Sequence, residues 1–214
     1  MIGPRVRQAR DGRHHGRATS DGGSGRGVAE LRLETDRLEL RALTYDDLDE
    51  LASMLADAEG LTYWGPPLSR EESRWWIERN LRRYEQDGFG RCAVILRTTG
   101  ELVGDCGLAR MPINGQSEVE LGWIVRRGHR GEGIAPEAAA AWVDYAFHTL
   151  GFERIVSMVS VTNVASRRVA EKLGMTVERL ATMEGLPHLM CSATRNRRRQ
   201  SMSPRTGGSD RGTP

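Results

Sequence analysis

Glycines and arginines are crowded into one short stretch near the middle of the chain, in a pattern that suits phosphate binding. The stretch Glu118–Ala141 reads EVELGWIVRRGHRGEGIAPEAAAA. It contains the glycines Gly128, Gly131 and Gly133 and the arginines Arg126, Arg127 and Arg130. Glycines let the backbone approach an anion closely, and the free N–H groups and dipole of a helix N-terminus favour negative charge. We therefore predict a phosphorylated ligand on this turn.

The order of the glycines argues against a nicotinamide dinucleotide. Here they read G-x-x-G-x-G, the reverse of the dinucleotide fingerprint G-x-G-x-x-G. A dinucleotide site also needs an acidic residue at the end of the next strand. Glu153 stands before the predicted strand Arg154–Val161 rather than after it. A different phosphorylated ligand is therefore favoured.

The elements around this turn are a strand and a helix. Residues 118–125 carry the alternation and the Trp, Ile and Val of a strand, whereas Pro136 and Ala138–Ala141 suit the start of a helix. Thr44 with Asp47, and Ser69 with Glu72, have the spacing of helix-capping boxes. The predicted helices are Thr44–Ala56, a helix after Ser69, Pro136–Leu150 and Ala165–Leu173. The other predicted strands are Leu33–Leu43, Arg91–Thr98, Leu102–Met111, Arg154–Val161, Val177–Met183 and Leu189–Ala193. This order predicts a mixed α+β fold, and we assign the tryptophans to packing.

Composition divides the 214 residues into one domain and two tails. Residues 1–28 and 195–214 are rich in arginine and poor in apolar residues, and we expect them to be disordered. They carry charges of +4 and +5, so the +2 of the whole chain leaves −7 on the predicted domain, residues 29–194. An acidic domain favours a cationic acceptor over nucleic acid, although basic tails leave a nucleic-acid-binding protein as an alternative.

The chain has the features of a cytoplasmic protein. No apolar run approaches the ~18–20 residues that span a bilayer, and the N-terminus lacks the apolar core of a secretory signal. Cys92, Cys106 and Cys191 are scattered, which predicts buried thiols in a reducing compartment and no metal site. We expect no membrane partner, and the sequence leaves monomer and homodimer open.

Three segments together resemble the GNAT acetyltransferase superfamily, and within it the RimJ/RimL-type branch. They read LETDRLELRALTYDD, ELGWIVRRGHRGEGIAPEA and TNVASRRVAEKLGM, and the likeness spans about Leu33 to Ala193. The resemblance implies a single-domain, mostly antiparallel sheet with helices on both faces and a V-shaped splay between predicted strands 4 and 5. It further implies acetyl-CoA as donor and an amine acceptor, either a protein N-terminus or a small molecule.

The resemblance also implies which residues hold acetyl-CoA. The pantetheine arm would lie in the splay against the backbone of Ile124 and Val125, and the pyrophosphate would bind the N–H groups of residues 128–134. The implied cofactor-binding residues are Ile124, Val125, Arg126, Arg127, Gly128, His129, Arg130, Gly131, Glu132, Gly133, Ile134, Ala135, Asn163 and Ser166.

The chemistry of amine acetylation then suggests the catalytic candidates. A free amine must lose a proton as it attacks the thioester, and the departing thiolate must gain one. Glu120 is the candidate base, with Glu118 on the same face of the strand as its substitute. The resemblance to the RimJ/RimL-type branch adds the pattern Asn-x-x-Ser at Asn163 and Ser166. It implies that Asn163 would hold the pantetheine or the acceptor and that Ser166 would face the sulfur, although plain helix capping would also explain both. The tyrosine acid of many superfamily members is replaced by Ala170.

Further departures leave a second class of function open. Gly128 stands where the superfamily often has Gln or Arg, and the segment after Met175 is short and unusual. Together with the missing tyrosine, these departures admit a catalytically silent acyl-CoA-binding or regulatory module as an alternative.

Overall fold

A computed structural model describes residues 31–58, 63, 65–183 and 185–196, which form eight strands and four α-helices. The strands are β1 (Arg32–Glu34), β2 (Leu38–Ala42), β3 (Arg91–Leu96), β4 (Leu102–Ile113), β5 (Gln116–Val125), β6 (Arg154–Ser160), β7 (Thr176–Met183) and β8 (Leu186–Thr194). The helices are α1 (Leu48–Leu55), α2 (Arg70–Asp87), α3 (Ile134–His148) and α4 (Val164–Lys172). Short 3-10 turns cover Tyr45–Asp47 and Arg127–His129.

All eight strands belong to one sheet in the order β1-β2-β3-β4-β5-β6-β8-β7. Every neighbouring pair is antiparallel except β5 and β6, which are parallel. Predicted strands 4 and 5 correspond to β5 and β6, so the expected α+β fold is confirmed. The parallel pair β5 and β6 interrupts the antiparallel pairing, and the candidate site described below lies beside it.

Helices cover both faces of the sheet because strand residues alternate between two apolar layers. On β5, Val119, Leu121 and Trp123 join the layer that contains α3. Ile124 belongs to the opposite layer, with α1 and Ile77 of α2. Even-numbered residues of β5 therefore face the side of the sheet that α1 and α2 cover. This alternation decides which side chains of β5 reach the site.

The first predicted strand is wrong in one respect. Residues 33–43 form the two strands β1 and β2, joined by a turn at Thr35–Arg37, rather than one strand. The Thr35 hydroxyl accepts a hydrogen bond of 3.0 Å from the Leu38 amide, and the Thr35 amide bonds the Leu38 carbonyl at 2.9 Å. Four polar residues, Glu34–Arg37, separate Leu33 from Leu38 and mark this turn in the sequence.

The two capping boxes are confirmed. Ser69 accepts from the Glu72 amide and the Glu72 carboxylate accepts from the Ser69 amide at the start of α2. Thr44 and Asp47 form the corresponding pair before α1. At its other end α2 stops at Gly88, whose φ of 77° favours glycine.

The two basic tails lie mostly outside the described residues, as do residues 29 and 30 of the predicted domain. Arg195 is described, and its amide and guanidinium contact the Glu153 carbonyl and carboxylate at 3.1 Å each. Arg195 is therefore tied to the start of β6. Among the described helices, none is long and apolar enough to cross a membrane.

Candidate active site

The glycine-rich turn ends in an exposed helix N-terminus. Gly131 and Gly133 adopt φ values of 85° and 84°, which favour glycine, and α3 begins directly after them at Ile134. Gly131 is solvent-exposed and Gly133 is half-exposed. Gly128, by contrast, has no positive φ, and a Cβ added there or at Gly131 would meet nothing within 4 Å. The turn therefore presents backbone N–H groups to solvent on the positive end of a helix.

The β1–β2 turn anchors this helix start. The Arg37 guanidinium forms an ion pair of 2.6 Å with Glu137 in the first turn of α3 and bonds the Glu132 carbonyl at 3.1 Å. The Thr35 hydroxyl donates to the same Glu137 carboxylate at 2.5 Å. Residues about one hundred positions earlier thus hold the turn in shape, which the sequence analysis did not predict.

The basic side chains of the turn make different contacts. Arg126 points back into the fold, where its Nε donates to the Leu102 carbonyl at 3.0 Å. Arg130 donates to the Val125 carbonyl at 3.3 Å. His129 lies between Glu132 and Glu101, and these hydrogen bonds raise the pKa of His129. Arg126 could therefore approach a ligand through its backbone, whereas its guanidinium braces the turn.

Beside the turn, β5 and β6 separate into a cleft. Their parallel register within the described residues is limited to Glu120 opposite Val156. Beyond that point the two strands line a narrow cleft, which is the splay that was expected between them. The lining residues are Tyr63, Glu120, Gly122, Trp123, Ser157, Met158, Val159, Ser160, Asn163, Ser166 and Met183.

Asn163 and Ser166 meet at the same end of this cleft. Asn163 is the N-cap of α4, and its side-chain oxygen accepts from the Ser166 amide at 3.0 Å. The capping interpretation is therefore correct for Asn163, and the Ser166 side chain lines the cleft as well. Ala170, one turn further along α4, packs in the apolar core. The position that lacks a tyrosine thus faces the core rather than the cleft.

Glu120 is the buried carboxylate where the strands separate. It is 5% exposed, and the Met158 amide of β6 hydrogen-bonds to it across the gap. Burial raises the pKa of Glu120 to about 7, against the opposing effect of Arg91, the Met158 amide and Arg83. A carboxyl group with this pKa can exchange a proton near neutral pH.

Glu118 lies two residues earlier on the same face but in different surroundings. Its carboxylate forms an ion pair of 2.6 Å with Arg154, which also pairs with Glu178 at 2.6 Å. Glu178 in turn accepts from the Ser192 hydroxyl. Glu118 is thus part of an ion-pair network that ties β5 to β6 and the β7–β8 hairpin, and the geometry favours Glu120 as the base.

A larger groove opens on the other side of Glu120, with a volume of about 620 Å³. Its lining residues are Leu55, Pro66, Leu68, Glu72, Trp75, Trp76, Arg79, Arg82, Arg83, Arg91, Ala109, Met111, Glu120, Ile124 and Met183. Glu120 and Met183 belong to the groove and the cleft alike. One carboxylate therefore faces two compartments.

The floor of the groove contains a buried ion pair. Arg91 and Asp105 lie 2.5 Å apart and are 3% and 0% exposed at their side chains. Trp76 donates its indole N–H to Asp105 at 3.0 Å, and the Arg91 guanidinium lies 5.6 Å from the centre of the Trp76 ring. The Tyr84 hydroxyl donates to the Arg91 carbonyl. These bonds fix the floor on which any ligand of the groove would rest.

The sequence analysis missed the groove, and it assigned all the tryptophans to packing. Trp142 and Trp123 are buried as expected, but Trp75 is 56% exposed and lines the groove with the half-buried Trp76. The packing assignment is therefore wrong for Trp75. The available signal was the spacing of Glu72, Trp75, Trp76, Arg79, Arg82 and Arg83, which places them along one stripe of a helix.

Comparison with known families gives one match that covers most of the chain. Residues 37–176 match the family profile described as an acetyltransferase (GNAT) domain. This range contains the β1–β2 turn from Arg37 onward, the glycine-rich turn, and every named lining residue of the cleft and the groove except Met183. The match thus includes the described site and not only its scaffold.

Individual proteins agree with that match. An uncharacterized protein, YkkB of Bacillus subtilis, is 34% identical over 148 residues, which are 69% of this chain and 86% of YkkB. An acetyltransferase structure from Agrobacterium tumefaciens is 31% identical with a TM-score of 0.68, covering 83% of this chain and 99% of its own. RimL, described as a ribosomal alpha-N-protein acetyltransferase in complex with coenzyme A, has a TM-score of 0.62. It is 22% identical over 75% of this chain and 95% of its own, so it shows the shared fold.

Proposed function

The chain belongs to the GNAT acetyltransferase family, and from that premise we propose that it transfers the acetyl group of acetyl-CoA to a primary amine. The observation that carries the proposal is the position of Glu120, a buried carboxylate shared by a cleft and a separate groove. A donor in the cleft and an acceptor in the groove would meet at this residue. That arrangement supports direct transfer in a ternary complex.

The residues of the turn and the cleft fit acetyl-CoA. N–H groups between Gly128 and Ile134 suit a pyrophosphate because they lie at the positive end of a helix of 15 residues. Those of His129 and Arg130 already donate to the Arg126 and Arg127 carbonyls. Arg127 and Arg130 add positive charge at the mouth of the turn. Where β5 and β6 separate after Glu120, the backbone of Val125 suits the pantetheine amides, whereas the Ile124 carbonyl lies against Gly104 of β4. The cofactor-binding residues that the resemblance implies in this turn also include His129, Glu132 and Ala135.

Glu120 acts as the general base in this proposal. Acetyl-CoA supplies the acyl group as a thioester, and the attacking amine must lose a proton as the new C–N bond forms. The Glu120 carboxylate accepts that proton directly or through water, because it lies at the junction of the two compartments. Its pKa of about 7 lets it accept a proton at neutral pH and release it afterwards.

Ser166 is the proposed proton donor to the departing thiolate. Its backbone is fixed by the Asn163 cap, and its side chain lines the cleft where the thioester would lie. Ala170 is buried in the core, so a tyrosine acid is not part of the proposal. Ser166, on the first turn of α4, is one of the hydroxyl-bearing residues that line the described cleft, together with Tyr63, Ser157 and Ser160.

The setting of the reaction follows from the donor. Acetyl-CoA chemistry and the three free, buried cysteines Cys92, Cys106 and Cys191 suit a reducing cytoplasm. The described residues contain no cluster of three or more His, Cys, Asp or Glu side chains suited to a metal ion. The proposed acid–base chemistry uses only Glu120 and Ser166.

A thermal-shift titration with acetyl-CoA, with NAD as control, tests the donor site first. At about 100 times Kd a ligand stabilises the native state by about 2.7 kcal/mol. For a domain of this size that corresponds to a rise in Tm of roughly 5–10 °C. A rise with acetyl-CoA and none with NAD supports the site, and no rise with either ligand contradicts it.

Thiol release from acetyl-CoA across a panel of amines then tests the reaction. Sustained release that depends on the amine, corrected for hydrolysis, excludes the silent acyl-CoA-binding module. Binding of acetyl-CoA with no release for any amine would instead favour that module. Binding of nucleic acid through the tails would need a steep salt dependence that is lost when both tails are removed.

A further inference from the structure

The groove beside Glu120 is lined by more positive than negative side chains. Among the described lining residues four are arginines and two are carboxylates, namely Arg79, Arg82, Arg83, Arg91, Glu72 and Glu120. Three of the arginines lie at positions i, i+3 and i+4 of α2 and therefore share one face of the helix. The acidic net charge of the domain is thus reversed at this groove.

Several of these groups already have partners within the protein, and the Arg79 guanidinium lies 5.0 Å from the centre of the Trp76 ring. Arg91 is paired with Asp105, and the Glu72 carboxylate is committed to the Ser69 cap. Arg83 donates to a neutral amide, Asn80, at 3.3 Å. Burial, followed by the charges of Arg79 and Arg91, lowers the pKa of Arg83. Crowded guanidinium groups of this kind are stabilised by an anion.

The groove therefore carries groups of both charges. Glu120 is a carboxylate, whereas α2 presents guanidinium groups that bind carboxylate and phosphate oxygens in pairs. The charges of Arg83 and Glu120 affect each other's pKa, so the two kinds of group lie near one another. A zwitterionic molecule matches both, with its ammonium towards Glu120 and its anionic group towards α2. Trp75 and Trp76 add aromatic surface to the lining.

We propose that the acceptor is a small primary amine that carries an anionic group, a carboxylate or a phosphate, which Arg79, Arg82 and Arg83 bind. This inference rests on the proposed acetyl transfer and adds the acceptor class to it. The groove volume of about 620 Å³ lies within the range of small-molecule sites. Anchoring the anion orients the amine at Glu120, so the arginines act as specificity-determining residues.

The first test compares matched amines as acceptors. Phosphoethanolamine, β-alanine and ethanolamine share an aminoethyl group and differ in carrying a phosphate, a carboxylate or a hydroxyl. Glucosamine and its 6-phosphate repeat the comparison on a larger scaffold. We expect kcat/KM in acetyl-CoA-dependent thiol release to be at least about tenfold higher for the anionic members of each set. The phosphate and carboxylate arms identify which anion the groove prefers.

Charge-removing variants locate the effect on α2. The double variant R82Q/R83Q should raise KM for the anionic amine at least about tenfold and leave KM for ethanolamine and acetyl-CoA unchanged. The variant R82K/R83K keeps the charges and should keep the preference for the anionic amine. R74Q is the matched control, since Arg74 lies on the same helix, pairs with Glu78 and does not line the groove.

A binding measurement separates this inference from the proposed reaction. Trp75 and Trp76 line the groove, so their fluorescence should respond to phosphoethanolamine in the parent protein and respond less in R82Q/R83Q. If anionic amines bind but no amine is acetylated, the proposed function fails and the anion site stands. If amines are acetylated with no preference for the anionic member, or a peptide N-terminus is preferred, the inference is overturned. Absence of both binding and turnover overturns it too.

Discussion

The glycine-rich turn and the arginine-lined groove are built in opposite ways. The turn acts through its backbone, with two glycines at positive φ and a helix start within seven consecutive residues, 128–134. The groove acts through side chains from α2, β3, β4 and β5. A site made of consecutive backbone groups can be predicted from local sequence. A site made of side chains from several elements becomes visible only in the folded structure.

This contrast implies different sensitivities to mutation. A residue change in the turn should alter donor binding and leave the acceptor groove intact. A change on α2 or in the groove floor should affect the acceptor or the stability of the fold. Glu120 belongs to both compartments. Replacing it should change the affinity for donor and for acceptor only slightly, because its proposed role is proton transfer. The predictions below test this separation, beginning with the largest expected effect.

Replacing Glu120 with Gln should lower kcat by about 10²–10⁴, the usual contribution of a general base. The parent should lose activity as pH falls through about 7, because protonated Glu120 cannot accept a proton. That acid limb should be absent from the pH profile of E120Q. The matched variant E118Q should retain it, since Glu118 is paired with Arg154. An unchanged acid limb in E120Q would exclude Glu120 as the base.

The same substitution should affect stability in the opposite direction. The pKa of Glu120 is raised from 4.5 to about 7 in the folded state. The contribution of Glu120 to the free energy of unfolding is therefore fully present below pH 4.5 and is lost as pH rises through 7. The cost of ionising it in the fold is about 3 kcal/mol. At pH 8 the E120Q variant should therefore unfold at a higher temperature than the parent, and a lower Tm would show that the carboxylate has a structural task instead.

Replacing Asp105 with Asn should reduce the free energy of unfolding by about 3–5 kcal/mol, because Arg91 would keep a buried charge without its partner. Chemical denaturation measures the change. D49N is the control, since the Asp49–Arg70 pair is exposed and should contribute little. Equal stability of the two variants would show that the floor of the groove does not depend on the buried pair.

In the turn, G131D should weaken acetyl-CoA binding about a hundredfold, because it places a negative charge where a pyrophosphate is expected. G131N is the matched control: Asn has nearly the same shape and also tolerates positive φ but adds no charge. Calorimetry of both variants separates charge from backbone strain. Similar affinities for G131D, G131N and the parent would refute the phosphate site, and an unchanged groove should still bind the anionic amine.

Replacing Arg37 with Gln should have the smallest effect. It removes the exposed ion pair with Glu137 and the bond to the Glu132 carbonyl, which together contribute about 1 kcal/mol. We expect a few-fold rise in the Kd for acetyl-CoA, measured by calorimetry, with no change in the KM of the acceptor. R32Q, at another exposed pair on β1, should leave the Kd unchanged. A loss of acceptor affinity in R37Q would contradict the separation of the two regions.

The sequence predicted those parts of the fold that local chemistry determines. The capping pairs Thr44–Asp47 and Ser69–Glu72 marked helix starts correctly, and the glycine-rich turn lies where a strand gives way to a helix. The β1–β2 turn was missed although four polar residues, Glu34–Arg37, interrupt the apolar pattern between Leu33 and Leu38. The groove was missed because Arg91, Asp105 and Glu120 come together only when β3, β4 and β5 pair.

Burial also separated residues that the sequence could not distinguish. Glu118 and Glu120 share a strand face, yet an ion pair holds the first and burial raises the pKa of the second to about 7. Trp75 and Trp76 are adjacent, yet one is exposed and the other bonds Asp105. Neither difference is visible without the neighbours that the fold supplies.

The contact between the β1–β2 turn and α3 couples the proposed donor site to an edge of the sheet. β1 has three residues and pairs only with β2 within the described sheet, so it belongs to the part of the fold that opens most easily. Because Arg37 and Thr35 hold Glu137, opening of this edge would release the start of α3. Occupancy of the donor site should therefore slow amide hydrogen exchange in residues 32–42, far from the ligand along the chain.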